Sequence, residues 1–263
     1  VPVLNAIIGN PNARALYLFP TKALSQDQVA ELQTTVDTLK VKIGTYTFDG
    51  DTPASARKAI RSAGHIVVTN PDMLHTGILP HHTIWMKLFE NLEFVVIDEL
   101  HHYRGVFGSH LANVVRRLKR ICEFYGSNPK FICCSATINN PKEMAERIVE
   151  KPMRLVDNNG APQGERHFLF YNPPVVNREL GIRASSVKEA TRIASQMLTR
   201  NVQSIVFARS RLRVEILTTY LKEQVRRLGK SDKLVCGYRG GYLPTERRAI
   251  ERGLRNGEIM AVV

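Results

Sequence analysis

Short, largely apolar runs of three to seven residues alternate along this chain with longer stretches whose apolar residues recur near every 3.6 positions. No feature constrains the fold more. Ala15 to Phe19, Val41 to Thr47, Ile66 to Val68, Phe94 to Ile97 and Phe131 to Cys134 read as strands. Between them, Leu24, Val29, Leu32, Val36 and Leu39 mark one helix, Ala54 to Ala63 a second, and Leu111, Val114, Val115, Leu118 and Ile121 a third. Phe94 to Ile97 is apolar without alternation, as a strand covered on both faces must be. Strand–helix alternation of this kind predicts an α/β fold of mainly parallel sheets flanked by helices.

Asn140-Pro141-Lys142-Glu143 predicts a helix start, with Asn as cap, Pro at the first helical position and Glu three residues after the cap. The pattern then breaks over 157–166, a polar stretch with Gly and Pro that reads as a linker. It resumes in 167–263 with strands expected at Phe168 to Tyr171, Ile205 to Ala208, Leu234 to Tyr238 and Ile259 to Val263. Helices are expected at Val187 to Leu198, Leu212 to Leu228 and Thr245 to Leu254. Two domains follow, 1–156 and 167–263.

Charge points to a partner. The 263 residues hold 37 Lys and Arg against 24 Asp and Glu, a net charge of +13. Residues 1–156 carry 18 basic and 14 acidic side chains, and 157–263 carry 19 and 10. A surplus of this size fits a polyanion, nucleic acid first. No apolar stretch reaches the ~18–20 residues needed to span a bilayer, and no signal peptide opens the chain. Four cysteines without a C-x-x-C pair fit a reducing, cytoplasmic setting, with Cys133 and Cys134 expected to pack in their apolar run.

The chemistry-bearing residues sit where the strands end. Asp98 and Glu99 follow directly on the strand Phe94 to Ile97, and ligands of open α/β sheets bind off the carboxyl ends of strands. One carboxylate there can hold Mg²⁺ through its water shell, and the next can activate a water against a phosphate. Helix capping is the alternative use of the pair. His101 to Gly108 does not read as a helix, and Ser109 is the expected cap of the one that follows. Ser135 and Thr137 close the strand Phe131 to Cys134, where two hydroxyls can bridge polar groups. Thr21 and Lys22 turn the first strand into its helix, a phosphate-binding geometry, and Asn70 repeats the geometry in Thr69-Asn70-Pro71. Further on, Arg209-Ser210-Arg211 and Tyr238-Arg239-Gly240-Gly241-Tyr242 place cations, glycines and aromatic rings after strands, as backbone contact and base stacking require.

Taken in order, these segments resemble superfamily 2 helicases of the DExH type. Pro20 to Leu24 is similar to motif Ia, Thr69-Asn70-Pro71 to Ib, Asp98-Glu99-Leu100-His101 to II, Ser135-Ala136-Thr137 to III and Ile205 to Arg211 to IV. The runs Asp98 to His110 and Tyr238 to Arg248 resemble the helicase group of bacterial mitomycin-lesion repair and its RecQ-like eukaryotic relatives. The resemblance implies two RecA-like domains, the first lacking its start and the second its end. It implies ATP and Mg²⁺ as cofactors, Asp98 on Mg²⁺, Glu99 on water, and His101 coupling the site to the other domain. Ser135 and Thr137 would couple hydrolysis to strand movement. Thr21, Lys22, Asn70, Arg209 and Arg239 would face nucleic acid. It implies 3′ to 5′ unwinding of DNA bearing a single-stranded 3′ region, in repair, at the nucleoid.

The phosphate-binding loop G-x-x-x-x-G-K-[ST] is not in these residues. Gly229-Lys230-Ser231 is a decoy, because position 224 is Gln and a helix precedes it. The family's loop lies just upstream of a helix like the one that opens this chain, and its arginine finger lies beyond Val263. The 263 residues alone are therefore expected to hydrolyse ATP poorly. Three other readings compete: a nucleic-acid-binding module without an engine, an RNA-remodelling motor, and a metal-dependent hydrolase on His81, His82, His101 and His102 with Asp98. The last is disfavoured because adjacent histidines point apart.

Overall fold

In the computed structural model, residues 1–39, 41–158, 160–162 and 164–263 are described, without the side chains of Lys22, Ala23, Leu24, Gln26, Asp27 and Pro244. The chain forms two units, Val1–Ala161 and Pro162–Val263.

The first unit runs α1 (Pro2–Gly9), β1 (Arg14–Leu18), α2 (Lys22–Thr38), β2 (Thr45–Thr47), α3 (Ala54–Ala63), β3 (Ile66–Thr69) and α4 (Pro71–Met73). A π turn (Leu74–Ile78) and a 3-10 segment (Leu79–Trp85) lead to α5 (Met86–Glu90), β4 (Leu92–Ile97), a 3-10 turn (Leu100–His102), α6 (Gly105–Phe124), β5 (Lys130–Cys133) and α7 (Pro141–Val149). The strands make one parallel sheet in the order β2-β3-β1-β4-β5. Successive strand residues face opposite sides, and here both sides are apolar. Ala15, Ile66, Val68, Phe94 and Val96 pack with Val3, Leu4 and Ile7 of α1 and Val36 of α2. Leu16, Leu18, Val67, Val95 and Ile97 pack with Leu88, Phe89, Leu111, Val115, Leu118 and Ile148 from α5, α6 and α7. Each of the larger side chains among them (Val, Leu, Ile and Phe) contributes about 1.5–3 kcal/mol of burial. Two covered faces are why β4 reads as an unbroken apolar run.

Several expectations change. The second strand shrinks to Thr45–Thr47. The run from Pro71 to Glu90 proves helical in four short pieces. Helix α6 begins at Gly105, with Arg104 in the cap position. Ser109 is therefore inside the helix rather than its cap, and its hydroxyl donates to the Gly105 carbonyl at 3.1 Å. Asn140 does precede α7, but its amide donates to the Glu143 carboxylate at 3.2 Å and its side chain makes no cap bond to the backbone. Cys134 is exposed rather than packed.

The second unit runs β6 (Val175–Asn177), β7 (Ile182–Arg183), α8 (Ser186–Thr199), β8 (Ser204–Ile205), α9 (Arg211–Arg227), a 3-10 turn (Asp232–Leu234), β9 (Val235–Cys236), α10 (Pro244–Arg255) and β10 (Ala261–Val262). Strands β8-β10-β9 form a parallel sheet. Ala194 and Leu198 of α8 and Val214, Leu217, Leu221 and Val225 of α9 pack with Val235, Ala261 and Val263. Strands β6 and β7 form a separate antiparallel pair that periodicity did not suggest. The strand expected at Phe168 to Tyr171 is not formed. Phe168, Leu169 and Phe170 are 87%, 86% and 98% exposed, and an apolar run without a neighbour to complete its ladder does not become a strand. Lys230 of the decoy segment donates to the Leu198 carbonyl at 3.1 Å and to Asn201 Oδ1 at 2.9 Å, a structural use. No helix is long and apolar enough to cross a membrane among the described residues.

Candidate active site

The parallel sheet of the first unit aligns four strand ends along one edge. In the order β3-β1-β4-β5, Asn70, Thr21, Asp98 and Ser135 follow within three residues of those ends. Neighbouring strands lie about 4.8 Å apart, so the candidate strand-contact residues and the candidate catalytic ones line adjacent halves of one edge.

Asp98 continues β4, its backbone N–H donating to the Leu18 carbonyl at 3.0 Å. Burial, the largest cause, holds its carboxyl above the usual carboxylate range. The backbone turns at Glu99, whose φ of 51° and ψ of 44° are left-handed, a conformation costly for a residue with a Cβ. Glu99 occupies the cap position of the Leu100–His102 turn without using its side chain as a cap. The turn is tied to the end of β5, where the Leu100 N–H donates to the Cys134 carbonyl at 2.8 Å.

The left-handed residue aims the Glu99 carboxylate at His101. His101 Nε2 lies 3.0 Å from Glu99 Oε2, and the Ala136 backbone N–H donates to His101 Nδ1 at 3.3 Å. A ring nitrogen that accepts carries no proton, so the imidazole proton sits on Nε2 and donates to Glu99. A three-membered relay joins the end of β4 to the Ser135-Ala136-Thr137 segment after β5. Sequence reasoning placed His101 in the site but missed Ala136, because a backbone donor leaves no signature in a side-chain pattern.

His101 and His102 do not point apart as expected. Their ring centroids are 4.6 Å apart, and donor atoms of Glu99, His101 and His102 all fall within 4.8 Å of one another. On a 3-10 turn, unlike a strand or an α-helix, neighbouring rings can converge. The hydrogen bonding nevertheless argues against a transition-metal site. A metal on His101 Nε2 would move the ring proton to Nδ1, where it would meet the Ala136 N–H donor head-on. His81 and His82 are outside this cluster.

Ser135 and Thr137 are both exposed. Thr137 borders a cavity of about 770 Å³ that Tyr103, Arg104, Ser109, Asn140 and Arg147 also line. It shares with Ser135 a second, of about 610 Å³, lined also by Lys142 and Asp157. Thr21 is exposed at the start of α2, while the side chain of Lys22 lies outside the described residues. The Asn70 carboxamide oxygen accepts the Met73 N–H at 2.8 Å and so caps α4.

In the second unit, Arg209 is exposed between β8 and α9, and Ser210 caps α9 by accepting the Arg213 N–H. Arg239 is more constrained. Its Nε donates to Glu215 Oε1 at 2.6 Å, and its guanidinium lies 4.8 Å from the Tyr242 ring centroid. The Tyr242 hydroxyl donates to the same Glu215 oxygen at 3.3 Å. A Cβ at Gly241 would come within 2.4 Å of Arg239 Nη1, so glycine there admits the folded-back arginine. Tyr242 therefore stacks on Arg239 in this structure, and Tyr238 donates its hydroxyl to Glu251 at 2.6 Å.

Residues 1–144 match the family model of the DEAD/DEAH box helicase. The uncharacterized ATP-dependent helicase YprA of Bacillus subtilis (strain 168) is 61% identical over 100% of the chain, which spans 35% of YprA. Among solved structures, the DUF1998 helicase MrfA bound to DNA is 61% identical with a TM-score of 0.96, covering 100% of this chain and 35% of MrfA. MrfA bound to DNA and AMPPNP is 60% identical with a TM-score of 0.95, over 100% of this chain and 36% of that one. The chain thus spans about a third of the length of these relatives, and the α/β fold is that of RecA-like helicase domains.

Proposed function

Because the chain belongs to the DEAD/DEAH box helicase family, we propose that it forms part of an ATP-driven motor that unwinds duplex DNA in repair. In this reading the motor moves 3′ to 5′ from a single-stranded 3′ region, in the cytoplasm at the nucleoid. The observation that carries it is the Glu99–His101–Ala136 relay at the shared end of β4 and β5.

Asp98 fits a hard cation. It offers oxygen donors, sits half-buried at a strand end, and has its charged form disfavoured by burial, a cost that a divalent ion would offset. Mg²⁺ keeps much of its water and needs only one or two carboxylates besides substrate phosphates. When bound it would neutralise charge on the ATP phosphates. Glu99 orients the attacking water and accepts its proton. His101 donates to Glu99 and holds it in place. Because His101 is itself held by the Ala136 N–H, a change at Glu99 is felt in the segment carrying Ser135 and Thr137. Thr21, Lys22 and Asn70 on one unit, and Arg209 and Arg239 on the other, would contact the strand backbone, which positions nucleic acid without reading its sequence. DNA as the strand is supported by the DNA-bound MrfA relatives.

The test is ATP hydrolysis by the full-length protein, with and without single-stranded DNA, beside a Glu99→Gln variant. Turnover stimulated by DNA and lowered about 10²–10⁴-fold by the substitution is the expected outcome. Tight DNA binding without turnover would reduce the protein to a binding module, and stimulation by single-stranded RNA alone would make it an RNA motor. The 263 residues by themselves are expected to turn over ATP very slowly, since no G-x-x-x-x-G-K-[ST] occurs in them.

A further inference from the structure

Helices α8 and α9 of the second unit flank a groove that has no part in the candidate site. Lys188, Thr191, Arg192, Ser195 and Thr199 form one wall and Tyr220, Glu223, Arg227 and Leu228 the other, around a cavity of about 480 Å³. Steps of three and four residues put each set on one face of its helix. From Lys188 to Thr199 the α8 wall runs about 16 Å at about 1.5 Å per residue, the length of a three-turn helix laid alongside. The walls are fixed before anything binds. Ala194 and Leu198 of α8 share a core with Leu221 and Val225 of α9, and Lys230, just past α9, donates to the Leu198 carbonyl.

The α8 wall is carbon. Its three hydroxyls all turn back on their own helix. Thr191 donates to the Val187 carbonyl at 2.9 Å, Ser195 to that of Thr191 at 2.7 Å and Thr199 to that of Gln196 at 2.8 Å. An apolar side chain entering the groove therefore displaces no hydrogen bond of these groups. Tyr220 and Leu228 add exposed apolar surface on the α9 wall. The rim is cationic. Lys188 and Arg227 have no hydrogen-bond or ion-pair partner among the described residues, and Glu223 is the one carboxylate among the lining residues. Arg192 is held by Glu189, to which its Nε donates at 3.0 Å, and by the Tyr171 hydroxyl, to which its Nη2 donates at 3.3 Å.

We propose that the α8–α9 groove is a docking site for an acidic amphipathic helix of a partner protein, its apolar side chains against the carbon walls and its carboxylates at Lys188 and Arg227. Such a helix lays its apolar face into a groove and sets its charges against the cations beside it. A nucleic-acid backbone fits less well: it would gain nothing from the carbon walls and would meet Glu223. The inference goes beyond the motor reading and does not depend on it.

The experiment titrates the full-length protein into a fluorescein-labelled peptide of about 15 residues, long enough to hold some helix, with leucine at every third or fourth position and glutamate elsewhere. Anisotropy should rise with a Kd on the order of 10 μM. Lys188→Glu combined with Arg227→Glu should weaken binding about tenfold, a peptide with serine for leucine should not bind, and single-stranded DNA should not displace the probe. No binding by wild type, equal binding of the serine peptide, or binding that the double variant leaves unchanged overturns the inference. Displacement by single-stranded DNA, with the double variant losing DNA affinity in step, makes the groove a nucleic-acid surface and overturns it too. Should the double charge reversal fail to fold, Lys188→Gln combined with Arg227→Gln should weaken binding about threefold, and an unchanged Kd there refutes the proposal.

Discussion

Helix α6 starts against the site loop, and one glycine sets how close it comes. A Cβ on Gly108 would lie 2.3 Å from the Tyr103 carbonyl oxygen and 2.9 Å from its carbonyl carbon. Both atoms are backbone, so no side-chain rotation relieves the contact. Gly108→Ala brings two opposed effects. Alanine favours the helix by about 0.8–1 kcal/mol, while overpacking against fixed atoms costs typically 1–3 kcal/mol and more when they cannot move. An overlap of nearly an ångström with backbone belongs at or beyond the upper end, so the net loss is about 2 kcal/mol. For a chain of this size that is a drop of about 4–8 °C in melting temperature. Val106→Ala, at a position 75% exposed in the same turn, is the control and should leave melting within about 2 °C, as surface changes do. Thermal denaturation followed by circular dichroism reads both. Were Gly108→Ala to melt at or above wild type, helix propensity would outweigh the contact, and the close approach of α6 to the Tyr103 carbonyl would be refuted.

Two further outcomes follow from charge and hydrogen bonding. Burial raises the Asp98 carboxyl above its ordinary range, so the folded state holds that proton to higher pH than the unfolded one. Its contribution to stability is present below the ordinary carboxylate pKa of about 4 and is lost as pH rises through the folded value. Asp98→Asn should therefore melt above wild type at pH 7, with the gap closing in acid, and a variant less stable at pH 7 would contradict the burial argument. Lys230→Met removes the bonds to Leu198 and Asn201. It should cost about 1 kcal/mol in a urea melt and leave nucleotide affinity untouched, whereas a lost affinity would mean that Gly229-Lys230-Ser231 is no decoy.

How far the sequence carries depends on what each element leans on. Strands β1, β3, β4 and β5 were legible within one or two residues because each is apolar on both faces and ends in a polar signature. The run Phe168 to Tyr171 is just as apolar, yet it forms no strand, since a strand is made by its neighbours and composition cannot report them. Helix α6 begins four residues before the expected cap, because Gly-Val-Phe-Gly offers no capping side chain to mark the start. The residues from Pro71 to Glu90 fold into short turns of three different periods, which no single periodicity detects. In the site, the positions of Asp98, Glu99, His101 and Ser135 at strand ends were readable. Their conformations were not: the left-handed Glu99, the Asn70 side chain spent on a cap, and the Arg239 guanidinium folded onto Tyr242 all come from local backbone geometry.

Several departures from local preference in the first unit gather in one loop. Within eight residues lie a desolvated carboxylate at Asp98, a left-handed Glu99, a buried hydroxyl without a partner at Tyr103 and a Gly105 at a φ of 57°. The first three cost stability, and glycine is the residue that takes the fourth conformation without strain. The surrounding structure holds them in place: β4 and β5 supply the Leu100 tether and the Ala136 donor, and α6 presses on the Tyr103 carbonyl through Gly108. Strain kept in place by rigid neighbours is how a site is held ready before its ligand arrives. The same logic explains why the relay runs through a backbone N–H. A side-chain donor at 136 could rotate away, whereas the Ala136 amide moves only if the segment carrying Ser135 and Thr137 moves with it. A relay built this way ties the position of Glu99 to the backbone after β5, the linkage that a motor converting hydrolysis into strand movement requires.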